Sequence, residues 1–149
     1  MDNVIHIGAE SGEFELYNLL GTKKLLYVEP DKECLEKLEE NERKHINANG
    51  ANITTRIIRK ACTDVANIMV DFYANGSGQS SILKPGEGTL NAVQNDFSKY
   101  QVETTTLDEL TDNTLFLNEK INYLCIDVQG NEEKIITGMD KNKLSEKFD

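Results

Sequence analysis

The sequence predicts an α/β fold on a mostly parallel sheet, and three stretches carry that prediction. Val4-Ile5-His6-Ile7 is an apolar, β-branched run that meets Gly8, with Gly12 close behind and a helical pattern at once after it. Lys24-Leu25-Leu26-Tyr27-Val28 is a second run and ends in Glu29-Pro30. Ile121-Asn122-Tyr123-Leu124-Cys125-Ile126 is the third, ending in Asp127, with Gly130 and another helical pattern following. Near-continuous apolar strands, each leading through a turn into a helix, belong to parallel sheets covered on both faces.

A chain of 149 residues supports one domain with a real core and is too short for two ordinary ones. With 38% hydrophobic and 28% charged residues it reads as a globular protein rather than a disordered one. No apolar run approaches the length of a membrane span, and the N-terminus lacks a basic region followed by an apolar one. No membrane partner and a cytoplasmic location are therefore expected. A net charge of −10 argues against any substrate gripped through its phosphates, such as duplex nucleic acid. Cys34, Cys62 and Cys125 are odd in number, widely spaced and without paired metal spacing, so they read as reduced, buried thiols with no metal.

In the first turn, Gly8 and Gly12 let backbone approach a ligand where side chains would block it. The helix behind them carries Phe14, Leu16, Tyr17 and Leu20 and closes at Gly21. Glu29, an acid at the end of the second strand, is placed to take the two ribose hydroxyls of a nucleotide. By itself this pattern fits NAD-dependent, nucleotide-binding and S-adenosylmethionine-dependent folds alike, and also a bare turn with no ligand. The three-glycine dinucleotide fingerprint is missing, because position 10 is Glu.

Pro30 suits the first helical position, and Asp31 and Glu33 complement the positive helix start. Cys34, Leu35, Leu38 and Ile46 give this helix an apolar stripe; the many charges between them form a solvated face, and Asn49-Gly50 ends it. His45 near its end is assigned no chemistry. Ile53 to Ala61 is read as a third strand ending in Ala61-Cys62-Thr63-Asp64. Asp64 is either an acceptor for an exocyclic adenine amine or an ordinary turn residue. Ile68, Val70 and Phe72 alternate with Met69, Asp71 and Tyr73, and Asn75-Gly76-Ser77-Gly78 leads to Ser80-Ser81-Ile82-Leu83, the pattern of a β-hairpin insertion. Pro85 opens an irregular segment to about Ser98 that is a candidate lid or substrate loop. Val102 to Thr105 is extended and Leu107 to Leu110 a short helical turn. Asp127 stands at the same rim as Gly8 and Glu29; Gln129 and Glu132 behind it either reach a ligand or cap the next helix.

The ordered set Ile7-Gly8-Ala9-Glu10-Ser11-Gly12, Glu29-Pro30, Ala61-Cys62-Thr63-Asp64, Thr106-Leu107-Asp108-Glu109-Leu110 and Ile126-Asp127-Val128-Gln129-Gly130-Asn131-Glu132, then Gly138, resembles the FkbM family of S-adenosylmethionine-dependent methyltransferases. The Asp-Val-Gln-Gly-x-Glu element is the most specific part, and NAD-binding folds do not share it. Two positions depart from the family's usual pattern. His6 stands for its Asp before the glycine turn and Glu10 for its Asn, although one branch carries Ile-His-Ile-Gly-Ala-His and resembles Ser80-Ser81-Ile82-Leu83-Lys84-Pro85 as well.

The resemblance implies a Rossmann-like methyltransferase fold using S-adenosyl-L-methionine to methylate a hydroxyl of a small molecule or glycan. It implies that Gly8, Ala9, Glu10 and Gly12 cradle the methionine part, and that Glu29 and Pro30 meet the ribose. Ala61, Cys62 and Asp64 would meet the adenine, Asp127 the amino group or acceptor, and Ser81 and Gln129 the substrate. Methyl transfer asks the protein to align the reactants and remove one proton from the acceptor. The candidate bases are Asp127, Glu132 and His6. His6 has a suitable ordinary pKa, but a histidine inside a strand is more often a satisfied core residue. A non-catalytic cofactor-binding module and an NAD-linked oxidoreductase are the rival functions. Methyltransferases of this type extend the sheet past the Asp127 strand, so the chain is expected to be truncated there. That leaves an open apolar edge, and with it a fragment or a homodimer paired through that edge.

Overall fold

The computed structural model describes residues 2–49, 52–76, 78–84 and 97–149, with only the backbone at 47–49. Along the chain the elements are β1 (Asn3–Ile7), α1 (Phe14–Leu19), β2 (Lys24–Val28), α2 (Lys32–Asn49), β3 (Thr54–Ile58), β4 (Ala61–Thr63) and β5 (Met69–Ala74). They continue as β6 (Ser98–Thr106), α3 (Leu107–Thr111), a 3-10 turn at Thr114–Phe116, β7 (Tyr123–Ile126), α4 (Glu132–Thr137) and α5 (Lys141–Lys147). Four strands form the main sheet in the order β3-β2-β1-β7, all parallel. This is the parallel sheet the apolar runs predict and the Rossmann-like arrangement the resemblance implies.

The period of two along β1 and β2 explains why those runs lie at the centre. Ile5, Ile7, Leu26 and Val28 face one layer with Cys62, Leu107, Phe116 and Ile135. Val4, Leu25 and Tyr27 face the other with Phe14, Tyr17, Leu35 and Leu38. With both faces covered, no position on these strands is left for a polar stripe. Each fully buried aliphatic side chain contributes about 1.5–3 kcal/mol. The helices are thinner in their apolar contact than the periodicity suggests. Phe14 and Tyr17 are buried, whereas Leu16 and Leu20 of the same pattern are exposed. On α2, Cys34, Leu35 and Leu38 are buried, but His45 takes the inward position near the end, stacked on Phe14, and Ile46 faces out.

The expected third strand is divided between two sheets. β3 ends at Ile58, and after Arg59 and Lys60 the chain joins β6 as β4, in parallel. Ile57 and Ile58 pack on the main cores, whereas Ala61 packs with Phe72 and Val102 in a separate small one. An apolar run that passes from one core to another shows no break in composition. The alternating stretch is a strand, β5, whose long partner is β6 in antiparallel register from Met69↔Glu103 to Ala74↔Ser98. The hairpin is present in short form. Tyr73 and Ser81 make one antiparallel bridge, with N–H···O distances of 2.8 and 3.0 Å. The second sheet is thus β4-β6-β5. Of the candidate lid, residues 85–96 lie outside the described residues.

β7 pairs with β1 alone among the described residues, so it forms the edge the sequence predicts. Leu124, Cys125 and Ile126 are half-buried there. Just before it, Ile121 bridges in parallel to Phe148. The polar tail is more ordered than its composition implies. α5 starts with Asp140 Oδ1 accepting from the Asn142 N–H at 2.8 Å, and Lys143 and Lys147 both pair with Asp112.

The two sheets are joined at the end of β2. Asp31 is only 1% exposed and accepts from the Glu33 N–H (3.0 Å), the Gly76 N–H (3.2 Å) and the Ser80 hydroxyl (2.5 Å). One carboxylate thereby caps α2 and draws the 75–80 loop over it. Removing it leaves buried donors unpaired, at about 1–3 kcal/mol each. Asp31→Ala is expected to lower stability in urea by about 2–3 kcal/mol; a loss under about 0.5 kcal/mol would show that the loop is held some other way.

Candidate functional site

Ile7 lies beside Val28 on one side and Ile126 on the other, so the three strand ends are level. The residues that follow, Gly8, Glu29 and Asp127, consequently share one rim. From β1 the chain winds outward through β2 and β3 on one side, and β7 is added on the other. The strand order therefore reverses at β1, and ligands of open α/β sheets bind outside the carboxyl ends at such a reversal. A cleft opens there. Its walls include Gly8, Glu10, Glu29, Pro30, Asp127 and Asn131 from the main-sheet side and Lys60, Ala61, Cys62, Phe72, Gly78 and Ser81 from the second sheet and its loop.

Gly8 is required by packing and by its backbone conformation. Its φ is +76°, and a Cβ there would stand 1.8 Å from the Asp127 carbonyl oxygen. Its N–H donates to the Val28 carbonyl at 2.9 Å, which ties the turn to β2. Glu10 is exposed and has φ +50°, in the left-handed region that disfavours a non-glycine residue. Glu29 is 5% exposed and uses both oxygens: Oε2 accepts from the Glu10 N–H and Oε1 from the Asp31 N–H, each at 2.8 Å. Burial pushes its pKa up to about 7, against the opposing pull of those two N–H groups. Asp127 is exposed, and its Oδ1 accepts from Gln129 Nε2 at 2.9 Å. Among the described residues the one cation on the walls, Lys60, already pairs with Glu103 at 3.3 Å. Three carboxylates around the rim suit a ligand carrying positive charge.

Other expected site residues sit elsewhere or are occupied. His6 is buried on the α1 side of the sheet, with Nδ1 3.0 Å from the Tyr17 hydroxyl and Tyr27 against its ring. Burial lowers its pKa to about 4, and it is not among the residues lining the cleft. Glu132 folds back on the turn before its helix and accepts from the Val128 N–H (3.1 Å) and the Gly130 N–H (3.0 Å). Its partial burial would raise its pKa, but those backbone N–H groups outweigh this and hold it below the ordinary carboxylate value, which suits a capping group better than a base. The Ser81 hydroxyl, 3.1 Å from the Gln129 carbonyl and accepting from the Leu83 N–H at 3.0 Å, ties the loop to the β7 turn. Gln129 holds Asp127 and has φ +59°. Ala9 is buried in the α2-side core, and a Cβ on Gly12 would meet Leu38 at 2.6 Å, so both serve packing and neither lines the cleft. Asp64 is exposed, accepts from the Thr63 hydroxyl at 3.0 Å, and backs onto Gly138. The sequence reading missed Asn131, which is 1% exposed, lines the cleft and donates to the Cys62 carbonyl at 3.0 Å. An Asn directly before a helix reads as a cap, so only its place behind Asp127 and Gly130 offered a signal.

A parallel sheet with a glycine turn at the reversal, an acid after the second strand and another after the edge strand define a Rossmann-like domain of the methyltransferase type. Residues 6–149 match the family model described as the methyltransferase FkbM domain, and the chain belongs to that family. The methyltransferase FkbM from Methylobacillus flagellatus KT is similar in fold, with a TM-score of 0.57 and 16% identity over 92% of this chain and 28% of that one. The chain therefore spans less than a third of that relative's length. No curated protein matches the chain.

The raised pKa of Glu29 has a signed consequence. Between its ordinary value of 4.5 and about 7 the folded protein holds a proton that the unfolded chain has released. This contribution is complete below about 4.5 and is lost as pH rises through about 7. Urea midpoints should therefore fall over that interval, and Glu29→Gln should flatten the fall; an unchanged slope in the variant would assign the titration to another group.

Proposed function

We propose that this domain binds S-adenosyl-L-methionine in the cleft and serves methyl transfer to a hydroxyl of a small molecule or sugar. The observation that carries the reading is the buried Glu29 carboxylate beside the glycine turn, within an acidic rim. The donor set fits the cofactor. Glu29, ionised above about pH 7, offers charged acceptors for two ribose hydroxyls, and Glu10 and Asp127 offer negative charge to an ammonium and a sulfonium. Gly8 brings its backbone to the cleft wall, and Ala61 and Cys62 give an apolar wall for the base. When bound, the cofactor supplies a methyl group on a positively charged sulfur, already activated for displacement.

The protein then has to orient the acceptor and take its proton. Asp127 is the base of this reading. It is exposed at the rim, and Gln129 is the one side chain bonded to its carboxylate among the described residues. Val128 and Gly130 satisfy Glu132, and His6 lies in the core. The acidic surface also fits a neutral or cationic acceptor better than a phosphorylated one.

Calorimetry with S-adenosylhomocysteine tests the site. Glu29→Ala should weaken binding about 10- to 150-fold, because hydrogen bonds to a charged acceptor are worth about 1.5–3 kcal/mol. Asp108→Ala, whose carboxylate accepts from the Asp140 N–H at 3.3 Å outside the cleft, should change nothing. Equal affinities in the two variants would remove Glu29 from the site. Binding without turnover on any hydroxylated acceptor would reduce the domain to a binding module.

A further inference from the structure

Glu10 carries a charge that its place in the turn does not need. Its φ of +50° lies in the left-handed region, where glycine or asparagine sits with less strain and brings no charge. The bond that fixes this turn comes from its backbone, whose N–H donates to Glu29 Oε2 at 2.8 Å. The side chain meanwhile reaches across the cleft. A Cβ on Gly78, in the loop after β5, would stand 3.0 Å from Glu10 Oε2, so the carboxylate fills space that a side chain there would contest. Both residues line the cleft, and among the described residues the Glu10 carboxylate has no hydrogen bond or ion pair. Lys60, which also lines the cleft, pairs with Glu103 instead. Strain at a non-glycine residue whose side chain stands unpaired in a cleft points to a ligand rather than to the fold.

The neighbour of this carboxylate indicates which part of a ligand it meets. In the cofactor reading above, on which this inference rests, Glu29 takes the ribose hydroxyls, and Glu10 is bonded to Glu29 through its own N–H. In S-adenosyl-L-methionine the sulfur is joined to the ribose by a single carbon, whereas the ammonium lies at the far end of the amino-acid chain. The acid bonded to the ribose ligand is therefore matched to sulfur rather than to the ammonium. We propose that Glu10 reads the charge on sulfur, shifting the preference of the cleft toward the methylated, cationic cofactor and away from its neutral product. Methyl transfer leaves the electron pair of the broken carbon–sulfur bond on sulfur, which becomes neutral, while the acceptor's proton passes to Asp127. The attraction to Glu10 is lost in that step, which eases exchange of the spent cofactor for a fresh one. A turn with glycine or asparagine at position 10 lacks this discrimination.

Calorimetry on the whole chain tests this with S-adenosylmethionine, neutral S-adenosylhomocysteine, and sinefungin, in which a carbon bearing an ammonium replaces the methylated sulfur. The quantity read is the affinity for each charged ligand divided by that for S-adenosylhomocysteine. Glu10→Gln should lower this ratio about three- to fivefold, the size of one exposed charge pair, while S-adenosylhomocysteine itself binds within about twofold of the unmodified protein. Glu10→Asn also removes the charge and suits the left-handed backbone, so it gives the same reading if the Gln variant does not fold. Asp71→Asn, which removes an exposed acid paired with Lys99 outside the cleft, should keep the full ratio. A fall of less than about twofold in the Glu10 variants, or an equal fall in Asp71→Asn, overturns the proposal. Equal weakening of all the ligands overturns it too, because Glu10 then meets a group that they share. Failure of the unmodified protein to bind any of them overturns the cofactor reading itself, and is distinguished by the absence of any heat.

Discussion

The pair of hydrogen bonds made by the Glu29 carboxylate is the constraint on which the site depends. One oxygen holds the glycine turn through the Glu10 N–H, and the other holds the start of α2 through the Asp31 N–H. Asp31, two residues on, then reaches the 75–80 loop. A single buried acid at the end of β2 thus sets the spacing of three segments that come from distant parts of the chain. Its burial is also what makes it titratable near neutral pH. The same residue organises the cleft, and in the proposed cofactor reading it would also accept from the ligand's hydroxyls, so that ligand binding and local folding would draw on one group.

The cleft lies between two sheets that share few direct bonds. The main sheet supplies the turn and the acids; β4 and the loop after β5 supply the opposite wall. Asp31 to Ser80, Ser81 to the Gln129 carbonyl, and Asn131 to the Cys62 carbonyl are among the bonds across it. Each uses a short polar side chain whose geometry is fixed by a turn. The wall is therefore positioned by local backbone conformation more than by a large apolar contact.

The main sheet was legible because its strands announce themselves. β1, β2 and β7 are apolar on both faces and stop at glycine or acid, so strand ends and rim residues followed from composition and order. The step from β3 to β4 was not legible, since Ile57, Ile58, Ala61 and Cys62 read as one run while packing into different cores. Partnership was equally hidden: β5 shows its alternation, but pairing with β6 is a long-range choice that no local pattern encodes. Among site residues, Glu29 and Asp127 could be read from their place at strand ends. Asp31 and Asn131 looked like ordinary helix-start residues, and only three-dimensional neighbours show where their side chains go. His6 shows the converse, a residue with suggestive chemistry whose strand position sends it inward.

Glu10 has a consequence for how this turn can change. It holds a left-handed conformation that glycine or asparagine would adopt more comfortably, by about 1 kcal/mol. It also brings a carboxylate to the mouth of the cleft, against Gly78. Sequence drift toward glycine at this position would firm the fold while stripping one negative charge from the site. Robustness of the turn and negative charge at the mouth of the cleft therefore pull in opposite directions at one codon.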